Sequence, residues 1–370
     1  MMKNDLVSLI NEKTELIERI NLSKNVVIIA PYNFGKESLI NYSIQKASVE
    51  TEIVSISLNV LFSVSEDEFL CKYASEILNS LKAISKDSLE SYLRTMSSLE
   101  IFYNIEATEN ASYKISVSAC TAPFSTLQKE EILNLPEKIA KEKKIDLLIC
   151  LSEFQSVLSW NKIKPSFLDL FHEIAKRQNH VRYCISGSHI YQMNKLFGNK
   201  NSLLYKFGHI TYLEPIAKEQ FSDYISKSFK KVDKVIERDL ISKILNVTER
   251  NPRYTEFLFS EVLKSNNKII SHEWVENCIE ILLRRYIASY KSKLSQYNVN
   301  QRLFLIALSK SNGKKIYSLD FIRKSGLEYS AKLDKVKNSL LKEGTIYTIS
   351  DKTIKFTDPL FKYWLAENFD

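Results

Sequence analysis

Apolar residues in the first 215 positions alternate between short unbroken runs and longer stretches at helical spacing. The run NVVIIA (residues 25–30) is short and ends in a polar loop, which predicts a buried strand. KESLINYSIQKA follows with Leu39, Ile40 and Ile44 spaced for one face of a helix. EIVSISLNVLF (52–62) predicts a second strand. A helix comes next, opened by Ser65 as N-cap with Glu68 three residues on. IDLLICLSEFQ (145–155) and HVRYCISGS (180–188) predict two further buried strands, each ending in polar residues. Strand and helix in alternation predict a parallel sheet wrapped by helices, with any ligand at the carboxyl ends of the strands.

Residues 82–131 fit this pattern least. SYKISVSACTAPF alternates like an exposed strand or hairpin, and the Ser-rich helical stretches before it suggest an insertion over the site. From residue 216 to about 290 the pattern is purely helical, with segments near 217–229, 237–249, 253–266 and 272–290. The remainder orders three helices, an alternating pair of strands (TIYTISDKTIKFT) and a last helix, PLFKYWLAENF. That is the order of a winged helix, whose third helix is the recognition element. Three units are therefore expected: an α/β core over 1–215, a helical lid over 216–292 and a winged helix over 293–370.

Composition narrows the setting. An apolar fraction of 44% fills the cores of such a chain, and with 7 Gly and 7 Pro in 370 residues a helix-rich architecture is expected. No apolar run approaches the ~20 residues of a bilayer span. The charged first residues, MMKNDLVSLINEKTEL, lack the apolar centre of a signal peptide, so a cytoplasmic protein with no membrane partner is expected. Cys71, Cys120, Cys150, Cys184 and Cys278 are scattered and form no CxxC pair, which argues against a disulfide framework or a zinc site. Cys150 and Cys184 lie in strand-like runs, as small buried hydrophobes.

The net charge of +8 is unevenly placed. Residues 284–370 hold 17 Lys and Arg against 8 Asp and Glu, leaving 35 against 36 for the rest. A polyanionic partner for the C-terminal quarter, or a merely solvated lysine-rich surface, accounts for this equally well. On the expected recognition helix Lys332, Lys335, Lys337 and Lys342 alternate with apolar Leu333, Val336, Leu340 and Leu341. Lysine meets phosphate rather than base edges, so DNA contact there would be weakly sequence-specific and salt-dependent. A protein partner is the alternative.

The stretch APYNFGKES (30–38) has the outline of a phosphate-binding loop. Such a loop reads G-x-x-x-x-G-K-[ST] between strand and helix. Its backbone N–H groups cradle phosphates, its Lys reaches the outer phosphate oxygens and its hydroxyl holds Mg2+. Gly35 and Lys36 are in place, while Ala30 stands at the first Gly and Glu37 at the Ser or Thr. Asn33 and Phe34 complete the loop; Ser38 offers a hydroxyl one residue late, aimed elsewhere by the ~100° turn per residue. A second strand of such a site ends in Asp-Glu, the Asp organising the metal and the Glu polarising water. Here LLICLSEFQ offers Ser152 and Glu153. A capping carboxylate for the following helix is nearly as good an account of Glu153. His189, beside the strand end, suits a structural role better than acid–base work.

With these motifs in hand, the chain resembles the prokaryotic and archaeal-type ATPases of the STAND/AAA+ group, relatives of the origin-recognition-like ATPases. The resemblance rests on APYNFGKESLI, LSEFQ, ISGS, ERNPRY (249–254) and FTDPLFKYWL (356–365), in family order over nearly the whole chain. It implies an ATP- or ADP-binding core, a helical lid and a C-terminal winged helix. It further implies phosphate contact by Gly35 and Lys36, water polarisation by Glu153, and sensor roles for Ser186 or Ser188 and for Arg250 or Arg253. Both departures at metal positions put magnesium-dependent hydrolysis in question, with Glu37 as an unusual ligand if Mg2+ is used. The expected function is a nucleotide-binding regulator with weakened or lost hydrolysis, coupling core and lid to a winged helix that meets DNA, a protein partner or another copy. A slow ATPase with Glu153 as base and a nucleotide-free pseudo-ATPase scaffold are the alternatives.

Overall fold

The computed structural model describes residues 10–22, 24–50, 53–80, 86–107, 113–118, 123–160, 164–327, 330–349 and 352–369. Its core runs α1 (Ile10–Asn21), β1 (Val26–Ile29), α2 (Lys36–Glu50), β2 (Ile53–Asn59), α3 (Glu66–Ser80), α4 (Lys86–Ser98), β3 (Phe102–Ala107) and β4 (Tyr113–Ser118). It continues through α5 (Thr126–Lys143), β5 (Asp146–Ser152), α6 (Phe167–Arg177), β6 (Val181–Gly187), α7 (Ile190–Met193) and β7 (His209–Tyr212). Five strands form one parallel sheet in the order β2-β5-β6-β1-β7, the expected doubly covered α/β core.

Coverage on both faces explains why β1, β5 and β6 are apolar without alternation. Leu147, Ile149 and Leu151 of β5 join the larger cluster on one face. Leu148 and Cys150 join Val26, Ile28, Cys184, Leu39 and Ile40 under α1 and α2 on the other. Cys150 and Cys184 are buried as expected, whereas Cys120 lies outside the described residues. A hydrogen bond with Cys150, and then burial, push the Cys184 thiol well above its usual range.

The hairpin expected near residue 113 is present, β4 pairing antiparallel with β3. Its second strand lies against α3. Asn79 on α3 exchanges two hydrogen bonds with Ile115, at 2.7 and 2.8 Å, and Gln128 on α5 donates to the Leu99 carbonyl at 2.7 Å. Part of the 82–131 stretch lies outside the described residues.

The lid comprises α8 (Lys218–Lys230), α9 (Arg238–Val247), α10 (Pro252–Leu263) and α11 (His272–Arg284), followed by α12 (Ile287–Gln296). The single helix expected over 272–290 is thus two. The chain turns at Tyr286, whose ring stacks on Tyr290 and meets Tyr254 edge-on. The winged helix follows as α13 (Val299–Ser309), α14 (Leu319–Ser325), α15 (Ser330–Lys342), β8 (Ile346–Thr348), β9 (Ile354–Phe356) and α16 (Pro359–Asn368).

Lid and winged helix share one apolar cluster, from Ile216 to Leu365, so no break in the core marks the boundary expected at 292/293. Tyr290 is its pivot. The ring packs on Phe361 and Trp364, and the hydroxyl donates at 3.0 Å to Asp358. Asp358 also caps α16, accepting from the Leu360 and Phe361 amides at 2.9 and 3.2 Å. Burial raises its pKa even so. Among the described residues no helix is long and apolar enough to cross a membrane.

Candidate nucleotide site

The loop after β1 has the backbone of a phosphate cradle. Asn33 and Gly35 take φ of 66° and 83°, the left-handed values that let successive N–H groups converge ahead of α2. Ala30 is not among the described residues with positive φ, so its methyl costs nothing there; its amide donates to Gly187 at 3.3 Å. The Phe34 ring turns away into the apolar cluster under α2, which leaves only its backbone to the site. Ser38 is exposed on the outer side of the first turn.

Lys36 is 5% exposed, and its ammonium donates to the carbonyls of Ala30 and Pro31 at 3.1 and 3.2 Å. It also lies 3.9 Å from a Glu153 oxygen. Burial lowers its pKa, against the opposing pull of Glu153 and Glu37. The lysine thus bonds the start of its own loop. Loop, helix terminus and lysine fit a nucleotide's phosphates.

Glu153 is 8% exposed and sits in the left-handed region at φ 51°, uncommon for a side chain with a Cβ. The capping role open to it from sequence is not taken: its carboxylate makes no cap bond to the 3-10 turn it precedes. Instead one oxygen accepts from the Gln155 amide at 2.7 Å and from the Ser188 hydroxyl, while the other faces Lys36. Sequence reasoning missed Gln155 as a partner, although EFQ stood among the motif residues. Gly187 makes room for it, since a Cβ there would lie 2.4 Å from the Gln155 carbonyl oxygen.

The two candidate sensor serines separate by strand alternation. Ser188 reaches Glu153, whereas Ser186 faces α2 alongside Cys184, wholly buried with no hydrogen-bond partner. Glu37, in the first turn of α2, is exposed, and the Ser152 hydroxyl at the end of β5 donates to the Leu58 carbonyl at 3.4 Å. Burial and the nearby Glu153 charge raise the Glu37 pKa, against Lys36 and Ser152.

The lid meets the loop through residues that sequence did not single out. Asn251, 1% exposed, caps α10 and donates to the Tyr32 carbonyl at 3.4 Å. Of the candidate lid arginines, Arg253 is exposed on the first turn of α10. Arg250 donates to the Ile216 carbonyl at 3.2 Å, at the core–lid junction. Its φ is 61°, in the left-handed region that favours glycine.

On α15, Lys335 and Lys342 are exposed and Lys332 is half-buried. Lys337 is engaged: it pairs with Asp334 at 2.7 Å and hydrogen-bonds the Tyr317 hydroxyl. The end of α15 rests on the core, where the Lys342 carbonyl accepts from His189 at 3.0 Å. Sequence gave His189 a structural role but no partner.

Sheet order, loop, lid and wing together define an AAA+-type P-loop NTPase fold with a C-terminal winged helix. Residues 288–367 match the family described as "Probable winged helix domain". Among solved structures, the chain is similar to the Walker-type ATPase PABY2304 of Pyrococcus abyssi, at TM-score 0.65 and 14% identity over 98% of this chain and 97% of that one. It is also similar to the ORC2 protein of Aeropyrum pernix, solved in ADPNP–ADP complexes, at TM-score 0.54 and 12% identity over 99% and 94%. At such identities the likeness is one of fold. No curated protein matches the sequence.

Proposed function

We propose that this protein is a nucleotide-binding regulator that holds ATP or ADP at loop 30–36 and conveys the state of that site to its winged helix. The observation that carries this is a run of two adjacent residues. Ser188 bonds the carboxylate beside Lys36, and His189 bonds the end of α15. A change in Glu153 or Lys36 on filling the loop therefore acts on the wing through one rigid strand end. The ADPNP–ADP complexes of the similar ORC2 protein support nucleotide as the ligand class. For the wing, exposed Lys335 and Lys342 with half-buried Lys332 suit the phosphates of DNA, a protein partner being the other reading.

Slow hydrolysis is a second reading, favoured by the double hydrogen bonding that holds Glu153 in place as a base. Calorimetric titration with ATP and ADP tests the first. Binding that disappears in Lys36→Ala supports it; unchanged affinity in that variant removes the loop assignment, and no heat at millimolar nucleotide leaves a scaffold. Turnover that survives Glu153→Gln removes that residue as base.

A further inference from the structure

The hairpin of β3 and β4 has two edges, and only one of them is covered. On β4 the main-chain groups of Ile115 turn away from β3. The N–H donates to the Asn79 side chain at 2.8 Å and the carbonyl accepts from it at 2.7 Å, so an amide on α3 stands where a third strand would. The Val117 N–H likewise donates to the Ser75 hydroxyl at 2.8 Å. These bonds also fix the other edge. In an antiparallel pair, residues directly opposite either exchange both main-chain bonds or turn both away from each other. Ile115 lies opposite Ile105, and Val117 opposite Tyr103. The main-chain groups of Tyr103 and Ile105, and by alternation those of Ala107, therefore point outward from β3. No described residue bonds those of Tyr103 and Ile105. Natural edges of this kind are usually blunted by lysine, proline, a bulge or a covering element. β3 is FYNIEA, six residues in unbroken register with Glu106 as their one charge, and its Phe102 and Ile105 side chains are 53% and 48% exposed.

We propose that β3 pairs antiparallel with β3 of a second copy of this chain, joining the two hairpins into one four-stranded sheet across a two-fold axis. The outward groups allow only registers that set odd positions opposite odd positions. Charge chooses among these. An axis at Glu106 sets two carboxylates directly opposite, which is destabilising. An axis at Asn104 sets Glu106 against the exposed Phe102 ring and leaves Ala107 unpaired within the strand. An axis at Ile105 pairs Tyr103 with Ala107 and Ile105 with itself, so that all three outward residues exchange both bonds. It also sets Asn104 opposite Glu106, two side chains that already bond at 3.1 Å within one strand. On the other face the same axis brings two half-exposed Ile105 side chains together, where Ile115 and Val117 are buried. This match of the strand to itself favours a second copy over a foreign strand. The pairing uses no residue of the nucleotide loop, so it does not depend on that assignment.

Analytical ultracentrifugation of the full chain from about 1 to 100 μM tests this. Wild type should pass from monomer to dimer over that range, since a contact of this size belongs to the weak, transient class. Ile105→Lys puts two ammonium groups at the axis, on a side chain already half-exposed, and should raise the dissociation constant about tenfold or more. Thermal melting checks that this variant keeps its fold. Ile105→Cys gives a readout that needs no loss of association. Across the axis the two Cα atoms of a bonded pair lie about 5.5 Å apart, within the span of a disulfide. Diamide should therefore link two copies of Ile105→Cys, and should link neither wild type nor Val64→Cys, which is 90% exposed elsewhere on the core. Three results would overturn the pairing: a wild type that stays monomeric throughout the range, a dimer as strong in Ile105→Lys as in wild type, or Ile105→Cys linked no more readily than Val64→Cys.

Discussion

The imidazole Nε2 of His189 donates to the main-chain carbonyl of Lys342 at 3.0 Å, joining the end of β6 to the end of the third winged-helix helix across 153 residues of sequence. Its other nitrogen accepts from the Gln192 amide at 3.4 Å, so the neutral ring satisfies both bonds and a second proton would face a donor. Burial lowers the His189 pKa, against the raising influence of the Lys342 carbonyl, of its own backbone and of Glu153. A group whose pKa is depressed in the docked state favours docking at high pH. The contribution is complete above the undocked value of about 6.5 and is lost as pH falls through the docked one. Hydrogen exchange of residues 340–345 should therefore accelerate between neutral and mildly acidic pH in wild type. In His189→Ala it should be fast and pH-independent once intrinsic rates are removed.

Asn251 both caps α10 and holds the lid to the loop. Asn251→Ala should cost about 1 kcal/mol of stability through the lost cap. It should also speed nucleotide release, read by stopped-flow with a fluorescent nucleotide. An unchanged off-rate would mean the lid contact is incidental.

Gly187 leaves space for the side chain that steadies Glu153. Gly187→Ala would place a Cβ 2.4 Å from both the Gln155 oxygen and the Met193 sulfur. Overpacking of this kind costs about 1–3 kcal/mol. Thermal melting should show that loss, and any residual hydrolysis should fall further than nucleotide affinity does.

If the wing meets DNA, its lysines should not count equally. Removing Lys335, exposed on α15, should lower the slope of log affinity against log salt by about 0.9, as for one phosphate contact. Removing Lys337 should change it little, because that ammonium already serves Asp334 and Tyr317. Equal effects in a gel-shift salt series would contradict this assignment.

Gly313 lies at φ 75°, and a Cβ on it would come within 1.9 Å of the Ile354 carbonyl. Gly313→Ala should destabilise the wing by about 2 kcal/mol or more. Because lid and wing share one apolar cluster, α8 to α16 should melt together. Separate lid and wing transitions in calorimetry would show that the shared cluster does not couple them.

How much of this was legible depended on the range of the interaction. NVVIIA, LLICLS and RYCISG read as buried strands because a strand covered on both faces must be apolar throughout, a property of the run itself. The wing was legible for the same reason, its helices and alternating strands each carrying their own period. The helix expected over 272–290 is broken at Tyr286, whose ring stacks on Tyr290 and meets Tyr254 edge-on, contacts that no local period encodes. The Ser-rich insertion docks on α3 and α5 through hydrogen bonds from Asn79 and Gln128, which likewise have no local signature.

The sequence by itself determined the order of strands, loop and helices, and with it the position of Gly35 and Lys36 at the end of a buried strand, because local periodicity and turn chemistry suffice for both. Tertiary structure alone decided that Glu153 faces Lys36, Gln155 and Ser188 and caps nothing, that Ser188 and not Ser186 reaches it, and that His189 touches the wing. For Glu153 and its partners the physical reason is that a side chain's neighbours are set by which strands lie side by side in the sheet, and the order β5-β6-β1 is not the order of the chain.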